Sequence, residues 1–433
     1  MIRRTIREWE HIRYGMDETA IPEPQADRIA AKARESVFAG RDDEGVLEHG
    51  RKGLRARGVV GVIVTPDCQL EILPKIEGAG ESDVEQATLR GRLIHMLAMV
   101  WNIRIDAGAV TRLGWQRDTL LELLIRLYCS KLTDAVRKGM PRQYTDQEDD
   151  LPALRGRLDV TRQFSTLAVS PQKLACRFDS LSLDIALNQV MRATIGKLSR
   201  LAQAPDNQRT LRELNFAYAD VSEVSPGDLR WDQVVLDRTN TRWRELLSLA
   251  RLFLRDRHQQ TSVGPIDGFA LLFEMNVLFE EYVARLMVRA LAGTGLRVSA
   301  QGGLRACLYE GETGRFRTRP DLIIRKGNQN VLIIDTKWKR IRRIDDPHDG
   351  VSQADVYQLI AYSRIYGCPY VMLLYPHHGG MPPDPIRQRY SIAKPGAQES
   401  LIVATLDITE SHPKHDIALR DLVLNCLNFA AAA

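Results

Sequence analysis

The spacing of apolar residues changes twice along the 433-residue chain, at about residue 101 and again near 264. In the first hundred residues, short apolar alternations precede a helical stretch over 25–38 that stops at Gly40. A β-branched run from Gly58 to Thr65 follows, broken by Thr65-Pro66-Asp67, and a second strand covers Leu70 to Pro74. After the polar, Gly-rich segment 77–83, helical periodicity spans Val84 to Trp101. From Asp118 to Leu254 the pattern predicts mainly helices, opening at Leu120, running from Leu183 to Leu201 and from Trp243 to Leu254. Residues 143–150 and 205–208 read as polar interruptions. The loop 258–264, closed by Gly264-Pro265, marks a boundary. Beyond it the pattern predicts a helix over Phe269 to Leu291 and one strand or a bent pair over 296–310. Strands at 320–325 and 331–338 follow, joined by Gly327-Asn328-Gln329, then a helix over 352–366 stopped at Gly367 and a strand over 370–375. These breaks divide the chain into a small N-terminal α+β domain (1–100), a mainly helical middle domain (101–264) and a C-terminal α/β domain (265–433).

Composition excludes some classes without naming a function. With 44% hydrophobic and 27% charged residues, the chain reads as an ordinary globular protein, and it holds no apolar run long enough to span a membrane. The N-terminus lacks the apolar core of a secretory signal. Six cysteines lie far apart with no C-x-x-C pair, which predicts reduced thiols in a cytoplasmic protein and argues against a zinc module. The net charge of +5 is too small to indicate a nucleic-acid partner. Its distribution is more informative: residues 315–343 hold ten basic residues and two acids, Asp321 and Asp335. Arg315, Arg317, Arg319, Lys339, Arg340, Arg342 and Arg343 in this window form the footprint expected of a phosphate-backbone contact.

Asp335 and Lys337 stand two apart in Val-Leu-Ile-Ile-Asp-Thr-Lys-Trp and therefore share one face of a strand that is apolar at both parities. A hairpin symmetric about Asn328 would set Asp321 directly opposite Asp335. Two facing carboxylates repel, and a divalent cation removes the conflict. Mg²⁺, for which Mn²⁺ can substitute, takes carboxylate oxygens and keeps several waters. Lys337 would orient or help deprotonate an attacking water and offset phosphate charge. Glu280 lies on a helical stripe with Phe273, Val277, Val283, Ala284 and Met287 and so faces inward, with the adjacent Glu281 as the alternative. Asp355, Gln358 and Tyr362 share one face of the following helix.

Pro320-Asp321, Asp335-Thr336-Lys337, the preceding Glu280 and Gln358-x-x-x-Tyr362 together resemble the PD-(D/E)XK nuclease superfamily, in its RecB-like branch. The longer stretches Asn276 to Tyr282, Arg319 to Leu322, Asp335 to Lys339 and Asp355 to Tyr362 are similar to the McrC family, nuclease subunits of McrBC modification-dependent restriction systems. Leu154-Arg-Gly-Arg-Leu158, Cys176-Arg-Phe-Asp179, Asp184 and Asn188 extend the resemblance, which covers about residues 150–375. It implies a C-terminal nuclease domain of αβββαβ order that hydrolyses phosphodiesters of modified double-stranded DNA with Mg²⁺. By motif position, Asp321 and Asp335 would be metal ligands, Lys337 the water-orienting base, Glu280 an accessory acid that could share the metal, and Gln358 and Tyr362 supporting polar groups. It also implies a separate partner, a McrB-like hexameric AAA+ GTPase that the chain stimulates. The chain itself has no G-x-x-x-x-G-K-[ST] phosphate loop and is expected to bind no nucleotide. Arg51, Lys52, Arg55 and Arg57 are candidate contacts to that motor on charge. Two other readings stand beside this one: a non-catalytic DNA-binding adaptor that activates an NTPase, and a stand-alone RecB-like nuclease. The intact Asp321, Asp335 and Lys337 favour an enzyme. His377-His378, His412 and His415 read as loop positions without a third metal ligand.

Overall fold

The computed structural model describes residues 1–35, 46–75, 83–104, 118–170, 172–238, 240–254, 268–339, 350–378, 381–395, 397–408 and 412–428. The chain forms two compact units, one of residues 1–120 with 257–433 and the other of 121–256. Among the described residues no helix is long and apolar enough to cross a membrane. All six cysteines are free thiols, and all but Cys307 are buried.

The first unit begins with β1 (Ile2–Arg7), β2 (His11–Arg13), α1 (Glu23–Arg34), β3 (Leu47–Gly50), β4 (Gly53–Ala56), β5 (Val59–Val64), β6 (Cys68–Leu73) and α2 (Asp83–Val100). α1 starts beside Pro22 and Pro24, which suit a first helical turn. Its Ala26, Ile29, Ala30 and Ala33 form a helical stripe packed on Ile63, Leu70 and Ile72 of the sheet. β5 is buried at all six positions, as a continuous apolar run in a central strand should be. β2, β4 and β3 form a separate three-stranded sheet.

The second unit contains α3 (Leu120–Arg137), β7 (Gln143–Leu151), β8 (Arg157–Leu158), α4 (Val160–Phe164), β9 (Leu174–Ser182), α5 (Ala186–Leu201), α6 (Pro205–Ala217) and α7 (Trp243–Leu254). It is less purely helical than the sequence pattern predicts. The polar stretch 143–150 is a strand, paired along its whole length with β9. Its acids are matched by basic residues, Glu148 to Arg177 at 2.8 Å and Asp150 to Arg162. Residues 205–208 likewise open α6, with Pro205 in its first turn.

The first unit resumes with β10 (Phe269–Glu274), α8 (Met275–Ala290), β11 (Leu296–Ala300), β12 (Arg305–Glu310), β13 (Thr313–Thr318), β14 (Leu322–Lys326) and β15 (Gln329–Thr336). It ends with α9 (Gln353–Tyr366), β16 (Tyr370–Pro376), β17 (Ile386–Ser391), β18 (Ser400–Leu406) and α10 (His412–Asn428). The helix expected over 269–291 is in fact a strand followed by a helix. Phe269–Glu274 pairs antiparallel with β5, completing the sheet β1-β6-β5-β10. Gly61 permits this, because a Cβ there would lie 1.9 Å from the Leu271 carbonyl oxygen. The N-terminal segment and the C-terminal region, expected as separate domains, therefore share one sheet. His412 and His415 lie on α10 rather than in a loop, and His415 is buried with its Nδ1 3.3 Å from the Tyr282 hydroxyl.

The central sheet of this region has the order β11-β14-β15-β16-β18-β17. β15, β16 and β18 run parallel, and β11, β14 and β17 pair antiparallel. One face packs Ile323, Ile333, Val371, Leu373 and Val403 against Leu359, Tyr362 and Tyr366 of α9. α9 ends at Gly367, whose φ of 58° is the left-handed conformation that closes a helix. β12 and β13 form a two-stranded hairpin of their own, exposed at most positions.

Candidate active site

The β14–β15 hairpin decides where the two acids stand. Lys326 pairs with Gln329 across a two-residue turn, and an irregularity at Ile324/Arg325 shifts the register by one. Past the shift Leu322 faces Ile334, so the next step of the same register brings Asp321 across from Asp335. A symmetric hairpin would reach the same facing; here the bulge supplies it. Asp321 lies just before β14, and its Oδ2 accepts from the Thr336 backbone N–H at 2.7 Å and from Thr336 Oγ1 at 2.8 Å.

Asp335 is 2% exposed. Lys337 Nζ stands 2.8 Å from its Oδ2, as the shared strand face requires. The ammonium also lies 3.7 Å from Asp355 Oδ1 and donates to Gln358 Oε1 at 3.4 Å. Gln358 Nε2 donates to the Tyr362 hydroxyl at 2.8 Å, and that hydroxyl reaches the Arg319 carbonyl oxygen at 3.5 Å. The polar face of α9 thus fixes the lysine from one side and the start of β14 from the other. Glu280, on α8, completes the ring: its Oε1 accepts from Gln301 Nε2 at 2.9 Å, and Gln301 Oε1 accepts from Arg319. Of the adjacent acids, Glu280 is the one whose charge bears on Asp321.

The electrostatics of the cluster are unbalanced. Burial, then the neighbouring Asp321, push the Asp335 carboxyl up to about 6, against the pull of Lys337. Burial and Glu280 raise Asp321 too, opposed by its hydrogen bonds from Thr336. Burial acts to lower Lys337, but Asp335, Asp355 and Asp321 together outweigh it and keep it an ammonium. Paired oxygen donors whose ionisation is disfavoured by burial and mutual repulsion suit a hard divalent cation, which needs only one or two carboxylates and supplies the missing charge. Among the described residues no group of three His, Cys, Asp or Glu side chains is placed to hold a metal ion, so the site offers a pair. Asp321 and Asp335 are the oxygen donors that could hold such a cation, with Glu280 beside Asp321 and held by Gln301.

Much of the basic window is already engaged. Arg315 pairs with Glu310 at 2.9 Å on the hairpin, and Lys339 pairs with Asp355. Arg319 is exposed and reaches the site through Gln301, Arg317 is exposed on the β12–β13 hairpin, and Arg340, Arg342 and Arg343 lie outside the described residues. In the N-terminal segment, Arg51 and Lys52 form the exposed β3–β4 turn. Arg55 and Arg57 are both drawn to Glu48, at 3.8 and 3.4 Å. Gln301 and Thr336 are members of the site that the sequence pattern did not single out. Thr336 sat inside the motif, and its hydroxyl could have been read as a donor to the facing acid; no local signal marked Gln301.

A family model described as "McrBC 5-methylcytosine restriction system component" matches residues 54–376. Two structures of Thermococcus gammatolerans proteins are similar in fold. One is a chain of the half-complex from a tetradecameric assembly of McrB AAA+ hexamers with bound McrC, at 22% identity, 98% coverage of this chain, 99% of that chain and a TM-score of 0.76. The other is a chain of the cryo-EM McrBC complex, at 24% identity, covering 67% of this chain and 88% of that one, with a TM-score of 0.52. Among curated proteins none matches the chain. The family match takes in strands β5, β6 and β10 of the N-terminal sheet and the carboxylate cluster, and the chain belongs to the McrBC 5-methylcytosine restriction system component family.

Proposed function

We propose that this chain is the endonuclease subunit of a McrBC-type restriction system, hydrolysing phosphodiesters of DNA that carries modified cytosine. The observation that carries the reading is the Asp321–Asp335–Lys337 cluster at the end of a central strand, with Asp335 buried, two raised carboxyls and one ammonium. Asp321 and Asp335 would hold Mg²⁺. When bound, the ion supplies charge stabilisation for the phosphoryl group and acidifies water. The chain's own residues do the rest. Lys337, kept protonated by three carboxylates, donates rather than accepts: it orients the attacking water and stabilises charge on the phosphate. Gln358 and Tyr362 hold that ammonium in register with the strand. Glu280 adds negative charge beside Asp321 and is steadied by Gln301. Arg319, exposed and joined to the cluster through Gln301, and Arg317, exposed on the β12–β13 hairpin, suit the DNA backbone.

The family, and fold neighbours described as McrB hexamers with bound McrC, support a AAA+ GTPase partner for this chain as well. The test combines the chain with its cognate GTPase, GTP, Mg²⁺ and DNA with or without methylcytosine. Cleavage confined to methylated DNA with all components present is the expected outcome. Cutting by the chain alone would instead indicate a stand-alone nuclease. GTPase stimulation with no cleavage under any condition would indicate an adaptor.

A further inference from the structure

Glu8, one residue past β1, is 1% exposed. Its Oε1 accepts from the Lys75 backbone N–H at 3.0 Å and from the Trp338 indole Nε1, a partner 330 positions away in sequence. Its Oε2 is buried with no hydrogen-bond partner. A carboxyl buried with so few donors is destabilising in itself, because its unpaired oxygen has lost its hydration. The indole it holds belongs to the residue after Lys337. The same ring packs on Phe279, with centroids 5.3 Å apart, and Phe279 precedes Glu280 on α8. The N-terminal sheet also reaches Glu280 through the chain itself, since its strand β10 runs directly into α8. One sheet therefore grips the cluster at two places, through a hydrogen bond next to Lys337 and through the helix that bears Glu280.

We propose that Glu8 is a positioning residue of the nuclease centre: by fixing the Trp338 indole it holds the end of β15, and with it Lys337, against Asp335, and keeps the Phe279–Glu280 turn beside Asp321. The inference rests on the nuclease reading above and extends it, because it makes the N-terminal sheet part of the cleavage geometry.

The test compares wild type, Glu8→Ala, Glu8→Gln and Trp338→Phe in the full chain with its GTPase partner. Cleavage of methylated DNA gives kcat and KM, and hydrogen exchange follows peptides covering Lys337–Trp338 and Phe279–Glu280. Glu8→Ala and Trp338→Phe are expected to lower kcat about tenfold or more, since small displacements of reacting groups are expensive. KM for DNA and GTPase stimulation should stay within about twofold. Both variants should speed exchange in the two peptides. Glu8→Gln keeps the acceptor and should recover most of both losses; Trp338→Phe keeps the ring against Phe279 and guards against simple misfolding. Wild-type kcat and exchange in Glu8→Ala would overturn the proposal, as would losses that follow melting temperature alone or failure of Gln to rescue. If wild type does not cleave, the nuclease reading fails, while the exchange comparison still decides whether Glu8 holds Trp338 and the α8 turn.

Discussion

Ionising Asp335 without a divalent ion is unfavourable, because the carboxyl is buried beside Asp321 and Lys337 compensates only in part. Its folded value of about 6 lies above the ordinary 3.8. Between those values the folded chain keeps a proton that the unfolded chain has released. Stability from this group is therefore fully present below the lower value and lost as pH rises through about 6. Asp335→Asn removes the penalty. In EDTA at pH 8 it should raise the melting temperature by about 2–4 °C, and a fall would contradict the electrostatic account. In wild type, calorimetric titration should show Mg²⁺ affinity dropping as pH falls below about 6, since the ion must displace a proton. Thr336 makes a second residue-scale claim. Thr336→Val removes the hydroxyl that donates to Asp321 while the backbone N–H remains. Asp321 should then ionise at higher pH, and half-maximal cleavage should need severalfold more Mg²⁺, on the order of one lost charge-assisted hydrogen bond.

At the scale of elements, local pattern served where the deciding contacts are local. α9 with its Gly367 stop and the shared face of Asp335 and Lys337 follow from spacing within about forty residues, whereas the facing of Asp321 and Asp335 depends on a bulge at Ile324/Arg325 that spacing does not show. Phe269–Glu274 was misleading because Phe-Ala-Leu-Leu-Phe followed by the apolar stripe of α8 suits a helix equally well. What makes it a strand is β5, some two hundred residues earlier, and the space above Gly61. β7 escaped for the opposite reason. It is exposed along most of its length, so it shows no apolar alternation, and its pairing with β9 is supported by ion pairs. Gln301 was illegible because its role exists only where Glu280 and Arg319 meet. The β5–β10 pairing carries its own prediction. Gly61→Ala places a Cβ against the Leu271 carbonyl in a backbone conformation, φ 136°, that side chains rarely adopt. It should destabilise the first unit by about 2 kcal/mol or more, read by denaturant unfolding. Cleavage should fall with it, because β10 leads into α8.

For the whole molecule, the net charge of +5 averages a basic window with an otherwise slightly acidic chain. Within the window Lys337, Lys339 and Arg315 are spent on carboxylates, and Arg319 donates to Gln301, while Arg317, Arg319 and Lys326 are exposed. Arg317→Ala should weaken DNA binding about equally for all sequences and reduce the slope of log affinity against log salt by about 1, as loss of one phosphate contact requires. An unchanged slope would place the DNA elsewhere. If the carboxylate cluster serves cleavage alone, its loss should leave GTP hydrolysis by the partner untouched. Measuring DNA cleavage and GTP hydrolysis side by side in the assembled complex, with wild type and Asp335→Asn, tests this most directly. The account predicts that Asp335→Asn loses cleavage by at least about a hundredfold while stimulating the GTPase as wild type does. Cleavage by the variant at the wild-type rate would contradict it.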